Sequence, residues 1–128
     1  MTDITATQAD IVSFIEKLTQ QTETNKKEGC IRFEDSMALI EAHYEFTPNA
    51  FTNGKQVNVA GENSGSCKLF SFAHSHQLTQ LQTLRLFGQY YLDVLNTPEG
   101  NDHQNIRQFI INGWAGVSFS QSALALKE

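Results

Sequence analysis

The sequence predicts a mostly helical α+β fold: a single compact domain of about five helices with a small two- or three-stranded sheet. Three observations indicate it. Apolar residues recur at helical spacing in about five segments. Val117 and Phe119 alternate around Ser118, as in a strand. Residues 46–72 contain a long polar loop, rich in Asn and Gly, that leads into an apolar helix, and such loops usually serve binding or chemistry.

The first two helices are predicted from their apolar faces. Helix one spans about Gln8–Thr22 after a cap at Thr7, and its apolar face consists of Ile11, Phe14, Ile15 and Leu18. Helix two spans Glu34–Tyr44, with apolar positions at Phe33, Met37, Ile40 and Tyr44. The segment Ile31–Phe33 fits a short strand as an alternative.

The next stretch is predicted to be irregular until a third helix begins. Thr47-Pro48 requires extended or turn geometry, and Asn53-Gly54 is a turn dipeptide. Ser64 or Ser66 caps the third helix, which continues to about His74. The polar loop therefore ends directly at a helix N-terminus.

A capping box formed by Thr79 and Gln82 opens the fourth helix, which is predicted to continue to about Leu95. Its centre would contain Gly88, and a glycine there costs about 1 kcal/mol relative to alanine. We therefore expect another segment of backbone to pack closely against Gly88.

A fifth helix and a strand complete the predicted fold. Asp102 caps this helix and Gly113 ends it. The strand Val117–Phe119 follows, and its partner is either Tyr44–Phe46 or Ile31–Phe33.

Composition restricts the class of function. All 128 residues are assigned to one domain, with residues 1–7 frayed and residues 120–128 a loosely ordered tail. Nine basic and fourteen acidic residues give a net charge of −5 with neutral His, which argues against nucleic acid or an anionic membrane as a partner. No run of about 18 apolar residues is present, so no membrane-spanning helix is predicted. Cys30 and Cys67 are too few for a disulfide scaffold and indicate free thiols in a reducing compartment.

The alternative function is a cysteine-dependent enzyme or redox sensor with Cys67 as its nucleophile. Cys67 stands in the first turn of the third predicted helix, where the helix dipole and the neighbouring Lys68 would lower its pKa. His74 lies two turns further along the helix, about 10 Å away, so it cannot be the base. His43, His76 and His103 are candidate bases only if the fold brings them close, and His103, at the start of the fifth helix, is preferred. The alternative is that Cys67 fills a buried site and His103 belongs to an ordinary helix start.

The favoured hypothesis is a non-enzymatic binding module, whose site is formed by the polar loop at residues 46–68 and the starts of the third and fifth helices. Polar residues concentrate there, whereas the helices have ordinary apolar faces. The candidate ligand-binding residues are Asn53, Asn58, Asn63, Ser66, Lys68, Asp102, Asn105 and Arg107. The alternative is that Asn and Gly are simply the residues that tight turns require.

No cofactor or metal site is predicted. The loop glycines match no phosphate-loop or dinucleotide-binding spacing. His74 and His76 would diverge by about 200° on a helix, so they cannot share a metal ion.

Four motifs resemble the HopJ family of type III effector proteins: FTPNAFTNG, the run from Asn58 to Lys68, FGQYY and DHQNIR. The resemblance extends from about Phe33 to Phe119. It implies a bacterial effector-like protein that resides in the bacterial cytoplasm and is delivered into a host cell by type III secretion. Its partner would be a host protein or a small polar ligand. The family has no established activity, so no catalytic residue is carried over from it.

Overall fold

Six helices and five short strands make up the part of the chain that the structure describes, residues 4–20, 31–120 and 123–126 of a computed structural model. The helices are α1 (Ile4–Gln20), α2 (Phe33–His43), α3 (Ser64–Ser75), α4 (Gln80–Arg85), α5 (Gln89–Asn96) and α6 (Gln104–Asn112). The strands are β1 (Tyr44–Phe46), β2 (Phe51–Asn53), β3 (Gln56–Asn58), β4 (Val117–Phe119) and β5 (Leu124–Leu126). The predicted mostly helical α+β fold is confirmed.

The first helix starts earlier than predicted. α1 begins at Ile4, so Thr7 lies inside the helix instead of capping it. The predicted end of this helix at Thr22 lies outside the described residues, as does Cys30.

The strands form two small antiparallel sheets, one of β1 and β5 and one in the order β3-β2-β4. The strand Val117–Phe119 is confirmed, but both predicted partners are wrong. Phe119 pairs with Phe51 of β2, whereas β1 pairs with β5. β5 lies within the predicted tail at residues 120–128, and its pairing with β1 provides partners for the backbone groups of both strands.

The polar loop contains a β-hairpin that the sequence analysis missed. β2 and β3 pair directly around the dipeptide Gly54-Lys55. Gly54 has a φ of +60°, a conformation that hairpin turns need and that glycine adopts without penalty. Its N–H donates to the carbonyl oxygen of Gly116 at 2.9 Å, which links the turn to the segment before β4. The prediction of a wholly irregular loop is wrong because the alternation in the two short strands was not recognised.

Gly88 breaks the predicted fourth helix in two. It has a φ of +58° and stands between α4 and α5, so a continuous helix from Thr79 to Leu95 is wrong. A Cβ atom at this position would collide with the backbone of Arg32 and Phe33. The expectation of a close backbone contact is therefore confirmed, and that contact together with the positive φ explains why the position requires glycine.

The core is built around α3. Leu69, Phe70 and Phe72 are completely buried, and the ring of Phe70 contacts the rings of Phe51, Phe87, Phe109 and Trp114. Burial of three large side chains on one helix fixes that helix relative to its neighbours. It also fixes the position of the α3 N-terminus, next to the hairpin and α6. None of the described helices is both long and apolar enough to cross a membrane.

Candidate functional site

An open cavity of about 450 Å³ lies at the starts of α3 and α6. The hairpin, the start of α2 and the junction of α4 and α5 supply its other walls. Its lining residues are Phe33, Gln56, Asn63, Gly65, Ser66, Phe87, Tyr90, His103, Gln104, Asn105 and Ile106. Four residues selected from the sequence are among them: Asn63, Ser66, His103 and Asn105. The volume is within the range of small-molecule sites.

Both helices at the cavity begin with an unusual cap residue. Asn63 precedes α3 and His103 precedes α6, and both have left-handed backbone conformations, with φ values of 50° and 51°. Among the described residues, no side chain caps either helix. The predicted caps, Ser64 or Ser66 for α3 and Asp102 for α6, are therefore wrong. First-turn N–H groups lack partners within their own helix, and residues of both first turns line the cavity.

Four asparagine side chains form a hydrogen-bonded cluster next to the cavity, which we call the asparagine network: Asn53, Asn58, Asn63 and Asn105. Asn58 and Asn105 exchange amide hydrogen bonds of 3.3 and 3.1 Å. Asn63 donates to Oδ1 of Asn58 at 2.6 Å. Asn53 donates to the carbonyl oxygen of Asn105 at 2.6 Å. The network thus ties the hairpin to the starts of both helices.

Burial separates the members of the asparagine network. Asn53 and Asn58 are completely buried and do not line the cavity, whereas Asn63 and Asn105 do. Oδ1 of Asn53 has no hydrogen-bond partner among the described residues. The contacts of Asn53 and Asn58 are therefore structural, and they fix the wall that Asn63 and Asn105 present.

An aromatic cluster forms another wall of the cavity. The rings of Tyr90 and His103 lie 5.4 Å apart in a tilted arrangement, with an angle of 32° between their planes. Phe33 meets Tyr90 edge to face, with 5.0 Å between ring centres. Gly65 leaves room for the Phe33 ring, because a Cβ there would stand 2.9 Å from that ring. These contacts hold the three rings in fixed positions.

Asp102 and Arg107 are structural rather than part of the cavity. The Arg107 guanidinium donates to a carboxylate oxygen of Asp102 at 2.6 Å and to the carbonyl oxygen of Thr97 at 2.8 Å. The hydrogen bond from Arg107 lowers the pKa of Asp102. Arg107 is buried, and neither residue lines the cavity. Their contacts hold the segment before α6 against that helix.

Lys68 also lies away from the cavity. Its ammonium group is 3.5 Å from a carboxylate oxygen of Glu41 and 5.0 Å from the centre of the Phe46 ring. It therefore joins α3 to α2 and β1. It does not line the cavity.

Cys67 belongs to the core. It is 1 % exposed, and its thiol lies 3.7 Å from the carbonyl oxygen of Asn49. Burial raises the pKa of the Cys67 thiol, so the expected lowering by the helix start is wrong in direction. Cys67 does not line the cavity that contains His103, and no described histidine forms a hydrogen bond with its thiol. The structure gives the proposed pair of nucleophile and base no support.

Several lining residues were missed by the sequence analysis. Phe33 is predicted only as part of a helix face. Tyr90 and Gln104 lie within the FGQYY and DHQNIR motifs but are not among the predicted site residues. For Tyr90 and Gln104, the local signal is that they belong to these motifs. Gln56 and Phe33 offered none, because they reach the cavity only through tertiary packing.

The chemistry of the lining is polar and aromatic. None of the described residues that line the cavity is Asp, Glu, Lys or Arg. Within the described part of the chain, no group of three or more His, Cys, Asp and Glu side chains is placed to hold a metal ion. His103 and Ser66 share the cavity, but no hydrogen bond joins their side chains among the described residues. Such a lining is suited to hold a polar molecule by hydrogen bonds and ring contacts.

Comparison with known proteins gives one family and one related structure. The profile of the family described as HopJ type III effector protein matches residues 11–124. No curated protein matches the chain. A solved structure described as the crystal structure of the unknown function protein VPA0580 is 47% identical, with a TM-score of 0.81, and the match covers 90% of this chain and 92% of that one. All residues that line the cavity fall within the part matched by the family profile.

Proposed function

We propose that this chain, which belongs to the HopJ type III effector protein family, is a non-enzymatic binding protein that holds a small polar ligand in the cavity between the starts of α3 and α6. The cavity carries the proposal: about 450 Å³ of open space, bordered by two helix starts and an aromatic cluster. Its position coincides with the loop and helix starts in which the sequence concentrates polar residues.

The side chains that line the cavity favour binding over catalysis. The thiol of Cys67 is buried elsewhere, and burial raises its pKa, so the thiolate that a nucleophile requires is disfavoured. The hydroxyl of Ser66 lacks a hydrogen-bonded base within the described residues.

The shape of the site favours a small molecule over a host protein. The 450 Å³ volume lies within the 300–1,000 Å³ that small-molecule sites occupy. A protein partner would in addition need roughly 800 Å² of surface on each side. A small polar ligand is therefore the better match to the cavity.

The family also supports a place of action. We propose that the protein is delivered into a host cell by type III secretion, as the family description indicates. A fusion of the full chain to a reporter enzyme that is active only in host cytoplasm should give a signal with a secretion-competent strain. A strain that lacks the secretion apparatus is the control, and equal signals from both strains would contradict delivery.

The binding proposal is tested with a library of small polar fragments, including sugars, carboxylates, nucleosides and amino acids. Amide chemical shifts of the full chain are recorded with each mixture. We expect at least one fragment to shift the amides of Gly65, Ser66, Gln104 and Asn105. The variant Ser66→Phe, which fills the cavity, should abolish these shifts.

The matched control is Ser13→Phe, the same change at an exposed position of α1. It should retain the shifts of the wild-type protein. A library that produces no shifts at the cavity, or shifts that persist in Ser66→Phe, would overturn the proposed function.

A further inference from the structure

We propose that the ligand carries an uncharged, flat heteroaromatic ring whose edge both donates and accepts hydrogen bonds, as a nucleobase does. This inference rests on the proposed function and names the ligand class for the same cavity. Three features of the lining support it: the lack of Asp, Glu, Lys and Arg among the described lining residues, an aromatic cluster, and side-chain amides with unused hydrogen-bonding groups.

The lining does not suit a charged group. The described residues that line the cavity include no Asp, Glu, Lys or Arg. Two nearby charged groups, Asp102 and Arg107, pair with each other at 2.6 Å and do not line the cavity, although a carboxylate oxygen of Asp102 also lies 3.9 Å from Nε2 of the lining residue His103. A cation would lose part of its hydration without meeting a carboxylate of a lining residue, and an anion would meet no Lys or Arg side chain there, only the partial positive charge of the two helix starts. An uncharged polar ligand does not incur this cost.

The aromatic cluster suits a flat ring. The rings of Tyr90 and His103 lie 5.4 Å apart with their planes inclined by 32°, and the rings of Phe33 and Tyr90 meet in a T-shaped contact. Because packing fixes these rings, a ligand would lose little free energy in ordering them. Nucleobases gain about 1–3 kcal/mol each by stacking on aromatic side chains, and every base has a flat face for it.

Side-chain amides and a hydroxyl suit the edge of such a ring. The Gln56 side chain makes no hydrogen bond to any described residue, so both its NH₂ and its oxygen are available. Gln104 uses only its NH₂ group, which donates to the carbonyl oxygen of Asn101 at 2.7 Å, and so keeps its oxygen. An amide matches the adjacent donor and acceptor of a nucleobase in two parallel hydrogen bonds. Ser66 adds a hydroxyl that can donate or accept.

Sugars are the nearest competing class, because they also lie on aromatic rings and bond to amides. A sugar, however, presents hydroxyl groups around its whole edge and needs many polar partners. Here Phe33, Phe87, Tyr90 and Ile106 contribute much of the wall. A flat ring with one polar edge therefore fits the mixture of apolar and amide groups better.

The test titrates the full chain, followed by amide chemical shifts, with adenosine, guanosine, cytidine and uridine. Ribose, glucose, benzoate and each nucleoside 5′-monophosphate are titrated in parallel. We expect at least one nucleoside to shift the amides at the cavity and to bind more tightly than ribose, glucose and benzoate. Tyr90→Leu should weaken that binding by at least about tenfold, the equivalent of one stacked base. The neighbouring substitution Tyr91→Leu, at a residue that does not line the cavity, should not.

The outcomes separate this inference from the proposed function. If a sugar or benzoate binds in the cavity as tightly as every nucleoside, the inference fails and the binding proposal stands. If a 5′-monophosphate binds at least tenfold more tightly than its nucleoside, the ligand is charged and the inference fails in that respect. If the fragment library produces no shift at the cavity, both proposals fail. Loss of nucleoside binding in Tyr90→Leu supports the inference when the melting temperature of this variant is close to that of Tyr91→Leu.

Discussion

Two polar regions lie side by side in this protein, and they differ in burial rather than in chemistry. The asparagine network is largely buried, and its amides mostly bond to one another. Three further polar residues of the cavity lining, Gln56, Ser66 and Gln104, are partly exposed and keep unused hydrogen-bonding groups. Amide side chains thus serve as internal cross-links in one region and as candidate ligand contacts in the other.

The same contrast appears within three consecutive residues. Ser66 lines the cavity, Cys67 is buried in the core, and Lys68 pairs with Glu41 of α2. Successive residues of a helix point about 100° apart, so neighbours in sequence serve different surfaces. Candidate functional residues that are adjacent in the sequence therefore need not belong to one site.

The largest effect is expected when the asparagine network is cut. Asn58→Ala removes the acceptor of Asn63 and Asn105 and the donor to the Phe51 carbonyl oxygen. Leaving buried polar groups unpaired should lower the free energy of unfolding by about 2–4 kcal/mol. Urea denaturation of the variant and the wild-type protein measures this change in the free energy of unfolding.

The control for this cut is Gln56→Ala, in the same strand but with no side-chain hydrogen bond to the described residues. It should change stability by no more than about 0.5 kcal/mol. Equal losses in the two variants would abolish the distinction between the network and the cavity lining.

A smaller loss of stability is expected at Cys67, together with low reactivity. Cys67→Ser places a hydroxyl in a buried apolar site and should cost about 1–2 kcal/mol. Because burial raises the pKa of the thiol, alkylation in a Cys30→Ser background should be slow at neutral pH and accelerate only on unfolding. Alkylation rates against pH and urea measure this.

The reactive-thiol hypothesis makes the opposite prediction for the same experiment. Fast alkylation at neutral pH that slows in His103→Ala would show that Cys67 and His103 act together after all. A stability loss near zero in Cys67→Ser would point the same way.

Local sequence patterns predicted those features that depend on neighbouring residues. The capping box of Thr79 and Gln82, the stop at Gly113 and the strand Val117–Phe119 are all present in the structure. Each is determined within a few residues by a hydrogen bond, a positive φ or an alternation.

Features that depend on distant contacts were not predictable in this way. The break at Gly88 follows from the backbone of Arg32 and Phe33, far away in sequence. The partner of β1 is a strand near the chain end. The division of the polar residues between network and cavity likewise arises from packing of the hairpin on α6, which no local pattern encodes.

A pH effect of intermediate size is expected at the other end of α3. Nε2 of His76 lies 2.6 Å from the Tyr44 hydroxyl, and burial lowers the pKa of His76. The folded state thus favours the neutral imidazole, so its contribution to stability is present above the ordinary value of 6.5 and is lost as pH falls below it. One proton changes stability by at most about 1.4 kcal/mol per pH unit.

The variant His76→Gln isolates this contribution. Between pH 7 and pH 5, the free energy of unfolding should fall less in the variant than in the wild-type protein. The cavity is lined by other residues, so ligand binding at pH 7 should be the same in both. If the free energy of unfolding depends on pH in the same way in both proteins, His76 does not contribute to acid sensitivity.

The smallest effect is expected at Lys68, and it tests the boundary of the cavity most directly. Lys68→Ala removes an ion pair and a ring contact at the surface, and such pairs contribute at most about 1 kcal/mol. Because Lys68 lies outside the cavity lining, its loss should leave fragment binding unchanged, whereas Ser66→Phe, two residues earlier in the same helix, should abolish it. The two variants are compared by the same chemical-shift titration. If Lys68→Ala weakened binding as much as Ser66→Phe, the ligand would extend across α3 toward Glu41, and an anionic group that pairs with the lysine would have to be part of it.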